Sequence, residues 1–414
     1  MSRISTSQMQ REAINSMMKQ HVTLSRTQQQ VASGKKIFKP SEDPVAASRI
    51  VNLKDTLAAV SQHQDNVNAA RARITLSEGV LTSVVESIHR ASELAVQANN
   101  DTYNSDSRSF VAAEIKQIQE ALLNLANTTD SNNEYLYAGS LSRFKPFSRN
   151  EAGGFEYNGD ENSREIQISR NRRISVDDPG SSVFLEIKNG NGIFNVLDAP
   201  ENKGTGIIDP GQASAGYIDD TYGIIFDQTI DPGKELDRED GTDVPLTYSV
   251  VDSSGKVLSS RVPYESGKAI VFNGVFTSVK GEPVDGDVFV IRPSQNQDIF
   301  TTLENLIRAL DAESPEAEDS VGFHNAMNRS LADLTQSLNN TLSVRGKIGA
   351  RLNALDSQET INSAYNLQIQ EILSNIEDLD FAEAVSRLNL DLTGLEASQK
   401  AFTRVQDISL FNFL

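Results

Sequence analysis

The sequence predicts an α+β chain in which helices from both ends enclose a β-rich middle region. Over residues 1–140 and after residue 294, apolar residues recur at spacings of three and four, which is typical of helices. Over residues 141–293 they alternate with polar residues, which is typical of half-buried strands, and Asp-Pro-Gly turns separate the strands. We therefore predict a long helical bundle or coiled coil, built from both ends of the chain, with the β-rich region inserted between its halves.

The composition of the chain excludes several classes of protein. Its 414 residues exceed one ordinary core, so two or three domains are expected. The net charge of -19 argues against nucleic acid or a membrane as a partner, since both attract a basic face. The absence of Cys excludes disulfides, thiolate nucleophiles and Cys-based zinc sites. The first residues lack the apolar segment of a signal peptide and no run of about 18 apolar residues occurs, so we expect neither a cleavable signal nor a transmembrane helix.

Three helices are predicted before the β-rich region. They span roughly residues 7–33, 44–98 and 107–129. The second helix has the clearest start, because Asp43 can cap its first turn and Pro44 suits the first helical position. Its apolar residues repeat every seven positions, and about 55 residues at roughly 1.5 Å each make a rod about 80 Å long.

Turn residues punctuate the predicted strands of the middle region. Asp-Pro-Gly turns are expected at residues 178–180, 209–211 and 231–233, and a hairpin turn at residues 252–255. The alternating patterns predict strands at residues 155–157, 166–168, 174–176, 183–187, 244–250, 269–272 and 288–291. Helical spacing returns at Ile299 and again at Leu331.

These patterns divide the chain into five parts. The two outermost parts are named assembly arms, because their apolar stripes extend beyond any compact domain. The parts are the N-terminal assembly arm (1–43, a helix plus a loop), the first half of the helical shaft (44–140), the β-rich insert (141–293), the second half of the shaft (294–370) and the C-terminal assembly arm (371–414).

The two arms carry apolar stripes and opposite charges. Residues 1–40 contain seven Lys and Arg against Glu12 alone, whereas residues 371–414 contain eight Asp and Glu against three basic residues. Such a stripe must face another helix, so the arms should pair and also contact neighbouring molecules. The heptads of residues 44–130 and 300–360 are instead expected to form an intramolecular core. The predicted assembly interface comprises Ile14, Met17, Leu24, Val31, Val385, Leu388, Leu392, Leu395, Phe402 and Val405, with the uncharged C-terminal residues Leu410, Phe411 and Leu414.

No catalytic or cofactor-binding motif occurs in the sequence. The four histidines lie far apart on helical segments, where exposed or seam positions are expected: His21, His63, His89 and His324. Acidic clusters at residues 237–240 and 285–287 could bind calcium, but they lack EF-hand spacing and solvated turns are favoured. Lys35, Lys36 and Lys39 could bind phosphate, although a solvated loop or a contact with the acidic C-terminal arm is favoured. We therefore predict no enzyme activity, no cofactor and no metal site.

Four stretches resemble the flagellin-like family. They are residues 33–48 (SGKKIFKPSEDPVAAS), 133–139 (NEYLYAG), 347–355 (KIGARLNAL) and 381–388 (FAEAVSRL) running to the end at 409–414 (SLFNFL). The first resembles the signature loop of the family, with Gly34, Pro40, Asp43 and Pro44 at its marked positions. Its Pro-Val after Asp43 is similar to the hook-associated protein 3 branch, because flagellin usually has Ala-Gly there. The β-rich insert carries little of the resemblance.

The resemblance implies a structural component of the bacterial flagellum. Members of that branch form a ring of copies at the hook–filament junction, between hook-associated protein 1 and flagellin. They are exported by the flagellar type III apparatus with a cytoplasmic chaperone, so an extracellular location is implied. Two alternatives remain at this point: a flagellin-type filament subunit, and a stalked adhesive or carbohydrate-binding protein. The role of the insert is left open.

Overall fold

Along the described part of the sequence, six α-helices lie in two groups, three before the strands and three after them. The computed structural model describes residues 6–100, 102–151, 153–228, 245–311 and 317–407. The helices are α1 (Thr6–Ser33), α2 (Pro44–Ala98), α3 (Ser105–Ala126), α4 (Ile299–Asp311), α5 (Ala317–Glu377) and α6 (Phe381–Asp407). The three helices predicted before the insert agree with α1, α2 and α3 to within three residues at each end. The C-terminal helices divide between Glu377 and Phe381, later than the boundary expected at residue 370.

The described residues form two compact units. The first contains the described parts of residues 1–67, 168–171 and 356–414, and the second contains those of residues 68–167 and 172–355. Helices α2 and α5 each contribute to both units. The predicted combination of terminal helices and a β-rich middle region is confirmed.

Most strands of the second unit belong to two antiparallel sheets. The larger has the order β11-β10-β9-β14-β6, and in the smaller β13 lies between β12 and β7 and also pairs with β8. The remaining strands form the pairs β1-β2, β3-β4 and β5-β15. The strands are β1 (Phe147–Arg149), β2 (Phe155–Tyr157), β3 (Glu165–Ser169), β4 (Arg172–Ser175), β5 (Ile187–Lys188), β6 (Phe194–Asp198), β7 (Ile207–Ile208), β8 (Gln212–Ala213), β9 (Tyr222–Asp227), β10 (Thr247–Asp252), β11 (Val257–Pro263), β12 (Ala269–Phe272), β13 (Val275–Lys280), β14 (Val288–Pro293) and β15 (Asn296–Gln297).

One apolar core joins the two sheets. It contains alternate residues of strands from both sheets, as expected when two sheets pack face to face. Tyr222, Ile224 and Phe226 of β9 show the period clearly, since each is buried and the residues between them are not. The core residues are Phe194, Val196, Ile208, Tyr222, Ile224, Phe226, Val250, Ile270, Phe272, Val275, Val279, Phe289 and Ile291.

The strand predicted at residues 183–187 is wrong. Residues Ser181–Leu185 form a π-helical turn, and only Ile187 belongs to a strand. Val183 and Phe184 are adjacent and both buried, which differs from the alternation expected of a half-buried strand. Phe184 packs edge-on against Tyr137, with ring centroids 5.2 Å apart. The turn predicted at residues 231–233 and the start of the strand predicted at Val244 lie outside the described residues.

Polar side chains of α5 hold the β region. Asn325 accepts a hydrogen bond from the Ile208 N–H at 3.0 Å and donates one to the Gly206 carbonyl at 3.2 Å. Asp333 accepts from the Gly190 N–H at 2.6 Å, and burial raises the pKa of its carboxyl. These bonds satisfy backbone groups at the edge of the insert, which would otherwise be costly to bury. The insert is therefore attached to α5 in part by side chains that a sequence pattern treats as helix surface.

The stretch 133–139 forms a tight loop anchored by Asp160. Gly139 has a φ of +64°, and a Cβ atom there would lie 2.1 Å from Asp160 Oδ1 and 2.4 Å from its carbonyl oxygen. The Asp160 carboxylate accepts hydrogen bonds from the hydroxyl and the N–H of Ser140 and from Asn162, and these lower its pKa to about 2. Glycine is thus required at position 139 by both backbone conformation and space.

We expect Gly139→Ala to destabilise the second unit by about 2 kcal/mol or more, from backbone strain and overpacking together. The matched control is Gly153→Ala, because Gly153 also has a positive φ of +86° but no atom lies within 4 Å of its added Cβ. Thermal unfolding of both variants separates the two causes. Equal shifts of the melting temperature would show that contact with Asp160 is unimportant.

Candidate assembly interface

Helices α1 and α6 pack against each other in the first unit and run in opposite directions. The Leu379 N–H donates to the Gly34 carbonyl at 3.0 Å, so the start of α6 lies at the end of α1. Further along, the Thr27 hydroxyl donates to Asp391 Oδ2 at 2.9 Å. The helix start is capped by Asp380, whose carboxylate accepts from the N–H groups of Ala382 and Glu383. The two arms therefore form a two-helix antiparallel pair.

The predicted seam residues divide into a packed set and an open set. Leu24 is buried, and five others are half-buried: Met17, Val31, Leu388, Leu395 and Phe402. Ile14, Val385 and Leu392 remain 42%, 43% and 39% exposed. The side chain of Val405 and all of Leu410, Phe411 and Leu414 lie outside the described residues. A single pair of helices thus covers only part of the predicted apolar stripe.

An open apolar groove runs along this helix pair. It has a volume of about 530 Å³ and is lined by Ile14, Met17, Met18, His21, Val22, Leu395 and Gln399. Met18 and Val22 are 64% and 69% exposed, although both are apolar. Contiguous apolar surface of this kind marks an interaction site in a soluble protein. We refer to these seven residues as the arm groove.

The signature loop turns the chain from α1 into α2. Gly34 adopts a φ of +69°, which ends α1, and the Phe381 ring lies 3.6 Å from where its Cβ would be. The Glu42 carboxylate accepts from the N–H groups of Phe38 and Lys39 and pairs with Arg26 at 3.2 Å. Backbone hydrogen bonding from Phe38 lowers the pKa of Glu42. Backbone N–H groups of the loop therefore hold the Glu42 carboxylate in place, and this carboxylate ties the loop to α1 through Arg26.

The other marked loop positions start α2. Asp43 accepts a hydrogen bond from the Ala46 N–H at 2.9 Å, and Pro44 is the first helical residue. Proline suits that position because its missing N–H has no partner there in any case. Pro40 is exposed within the turn that precedes them.

Glu377, at the end of α5, joins three segments of the first unit. Its carboxylate pairs with Lys35 at 2.6 Å and with Lys54 at 2.9 Å. The Lys36 N–H donates to its carbonyl at 2.7 Å. Only 10% of the Glu377 side chain is exposed, and hydrogen bonding from Lys35 lowers its pKa below the usual value. The opposite charges of the arms therefore meet at this residue, which agrees with one of the two alternatives predicted for Lys35, a contact with the acidic C-terminal arm.

We expect Glu377→Gln to loosen the junction between α5, α6 and the signature loop by about 1–2 kcal/mol, because a charged hydrogen-bond acceptor is lost. Amide exchange at Lys36 and Leu379 reports the loss, and exposed Glu371→Gln is the control. The folded pKa of Glu377 is lowered, so its contribution is present above the ordinary glutamate value near 4.5 and is lost as pH falls through the folded pKa. The difference between the two variants should therefore vanish in acid, and a difference independent of pH would contradict the role of charge.

Comparison with known proteins identifies the family of the chain. A model of the bacterial flagellin N-terminal helical region matches residues 4–142, and one of the C-terminal helical region matches residues 331–414. The flagellar hook-associated protein 3 of Escherichia coli (strain K12) is 25% identical over 409 residues, 99% of this chain and 98% of that protein. The crystal structure of flagellar hook associated protein-3 from Legionella pneumophila has a TM-score of 0.73 and 30% identity, and covers 79% of this chain and 98% of that chain. This chain belongs to the flagellar hook-associated protein 3 family.

Family membership makes this chain a structural component of the flagellum and not an enzyme. The match to hook-associated protein 3 extends along the whole chain, whereas the flagellin of Clostridium tyrobutyricum is 27% identical over 116 residues, 28% of this chain. Within the described residues no helix is long and apolar enough to cross a membrane. In that same part of the chain, no group of three or more His, Cys, Asp or Glu side chains is arranged to hold a metal ion.

Sequence reasoning missed several residues that shape the helix pair. Thr27 and Ala384 are buried where the helices meet, although neither is strongly apolar. The spacing gives a signal for both, because Thr27 follows Leu24 by three positions and Ala384 precedes Leu388 by four. Nothing in the local sequence distinguishes Glu377 from the other acidic residues of the arm, since its role depends on two lysines more than 300 positions away.

Proposed function

We propose that this chain forms the junction between the flagellar hook and filament. Copies form a ring that binds hook-associated protein 1 on one side and flagellin on the other. The chain reaches that position through the flagellar type III export apparatus, after a chaperone has covered its apolar arms. A Legionella pneumophila relative with 29% identity and a TM-score of 0.71 is described as a flagellar junction protein, which supports this assignment.

The open apolar surface of the α1–α6 pair carries the proposal. Ile14, Met18 and Val22 of α1 are exposed, and so are Val385 and Leu392 of α6. Exposed apolar area of this kind is unfavourable in water and becomes favourable when a neighbouring helix covers it. A second copy, or a related subunit with the same arms, offers a matching apolar stripe. The arms thus explain why the protein functions as part of an assembly.

The filament-subunit alternative is less well supported. The flagellin of Clostridium tyrobutyricum matches 28% of this chain, whereas the hook-associated protein 3 of Escherichia coli matches 99% of it. The match to hook-associated protein 3 therefore includes the β-rich region as well as the arms. No observation on the described residues favours an adhesive or carbohydrate-binding role.

A strain that lacks only this chain tests the proposal. We expect hooks without filaments and flagellin released into the medium, because flagellin would have no junction to add to. The full chain supplied in trans should restore the filaments. Filaments of normal number and length in the strain without the chain would contradict the proposed function.

We expect a variant without the double sheet to restore filaments in the same strain. Residues 195–290 are replaced by a short flexible linker, which can close the gap because the retained residues Phe194 and Pro293 are register partners on neighbouring strands. Asn325 loses its partners Gly206 and Ile208 but becomes open to water, so the cost to α5 is small. Loss of filaments with this variant, while it remains folded and exported, would assign an essential role to the insert.

A further inference from the structure

The methionines of this chain are concentrated on the arm that is proposed to bind neighbours. Four of the five lie within residues 1–18: Met1, Met9, Met17 and Met18. Met17 and Met18 line the arm groove, where Met18 is 64% exposed. Met327 is fully buried in α5 and gives an internal reference. The groove therefore presents two adjacent thioethers that solvent can reach in the free subunit.

Thioethers suit this surface but make it sensitive to oxidation. Methionine is flexible and apolar, so it can fit against partners of different shape. A peroxide reacts at the sulfur: a sulfur lone pair attacks one peroxide oxygen, an S–O bond forms and the O–O bond breaks. The sulfur is oxidised by two electrons to the sulfoxide, and the peroxide is reduced to water. The product is a polar side chain in place of an apolar one.

We propose that Met17 and Met18 form a reversible oxidation site that controls whether a free subunit can join the flagellum. The proposal rests on the function proposed above, in which a neighbouring helix covers the arm groove. A sulfoxide oxygen buried there without a donor is penalised as any unpaired polar group is. Once a subunit is assembled, the covering helix shields both sulfurs. Subunits with oxidised methionines are thus kept out of the assembly, and the methionines of subunits already assembled are protected from oxidation.

The test mixes labelled full-length chain with flagellar hooks purified from the strain that lacks only this chain. Incorporation is measured by co-sedimentation before and after treatment with hydrogen peroxide, with oxidation at each methionine quantified by mass spectrometry. We expect at least about a tenfold loss of incorporation after oxidation, with Met327 unmodified. Treatment with both methionine sulfoxide reductases and a dithiol should restore incorporation.

Two double variants assign the effect to particular sulfurs. For Met17→Leu/Met18→Leu, the ratio of incorporation after and before peroxide should be close to one, whatever its starting level. For Met9→Leu/Met327→Leu, the ratio should fall as in the unsubstituted chain. Oxidised chain that incorporates as well as reduced chain, or a Met17→Leu/Met18→Leu variant that loses as much, would overturn the inference. Failure of the reduced chain to incorporate would instead overturn the proposed function, and this inference with it.

Discussion

Cells that carry Leu392→Asp are expected to have hooks but no filaments and to release flagellin into the medium. Leu392 is 39% exposed in the helix pair, so the substitution should change the fold of the free chain little. In the proposed assembly a neighbouring helix covers the same side chain, and an unpaired carboxylate in a dry contact costs several kcal/mol, on the order of 3–5. In the proposed ring this loss is repeated in every copy. Motility and electron microscopy of the flagella provide the measurement.

Two further substitutions place the effect on one face of α6. Phe402→Asp should give the same phenotype, because Phe402 is half-buried within the helix pair itself. Ala397→Asp adds the same charge to an exposed position about 140° around the helix from Leu392 and should be tolerated. Normal swimming with Leu392→Asp would mean that this face is not an interface.

Arg73→Ala is expected to cost about 3–5 kcal/mol of stability in the second unit, because it leaves buried carboxylates without their partner. Only 8% of Arg73 is exposed. Its guanidinium donates to Asp130 Oδ2 at 2.6 Å and to the Tyr135 carbonyl at 3.0 Å, and Asp177 lies 3.7 Å away. Burial raises the pKa of Asp177, so loss of the cation would favour its protonation further. The change therefore removes a second anchor, besides Asp160, of the loop that contains residues 133–139.

Arg90 on the same helix provides the control. It pairs with Glu114 at 2.7 Å, a distance close to that of the Arg73 pair, but its side chain is 50% exposed. Water solvates both partners of a surface pair when one is removed, so Arg90→Ala should leave the unfolding temperature close to that of the unsubstituted chain. If Arg73→Ala and Arg90→Ala lowered the unfolding temperature by similar amounts, burial would not set the strength of the Arg73 network.

The helical ends could be predicted from the sequence because their signals are local. The Asp43-Pro44 start, the seven-residue repeat of α2 and the stripes of α1 and α6 all depend on neighbours within a few positions. The stripe of α6 could not reveal which side chains face α1 and which stay open. Leu388 and Leu392 are equivalent by spacing, yet only Leu388 is half-buried against the partner helix.

The order of the strands could not be predicted, since it depends on long-range contacts. Strand β14 pairs with β6 on one side and with β9 on the other, which joins segments about 95 and 65 residues apart along the chain. The polar residues of α5 were missed for a related reason. Asn325 and Asp333 look like helix surface in the sequence, and only the backbone groups they bind in the insert explain why they are buried.

Thiol accessibility at Leu392→Cys tests most directly whether the open face of the α1–α6 pair is covered by neighbours. The natural chain has no cysteine, so a single introduced thiol is labelled without background. The control is Ser253→Cys, in the exposed turn between β10 and β11. A maleimide dye should label both positions in the free chain, but only position 253 in intact flagella. Equal labelling of position 392 in the free chain and in flagella would contradict the assembly interface proposed here.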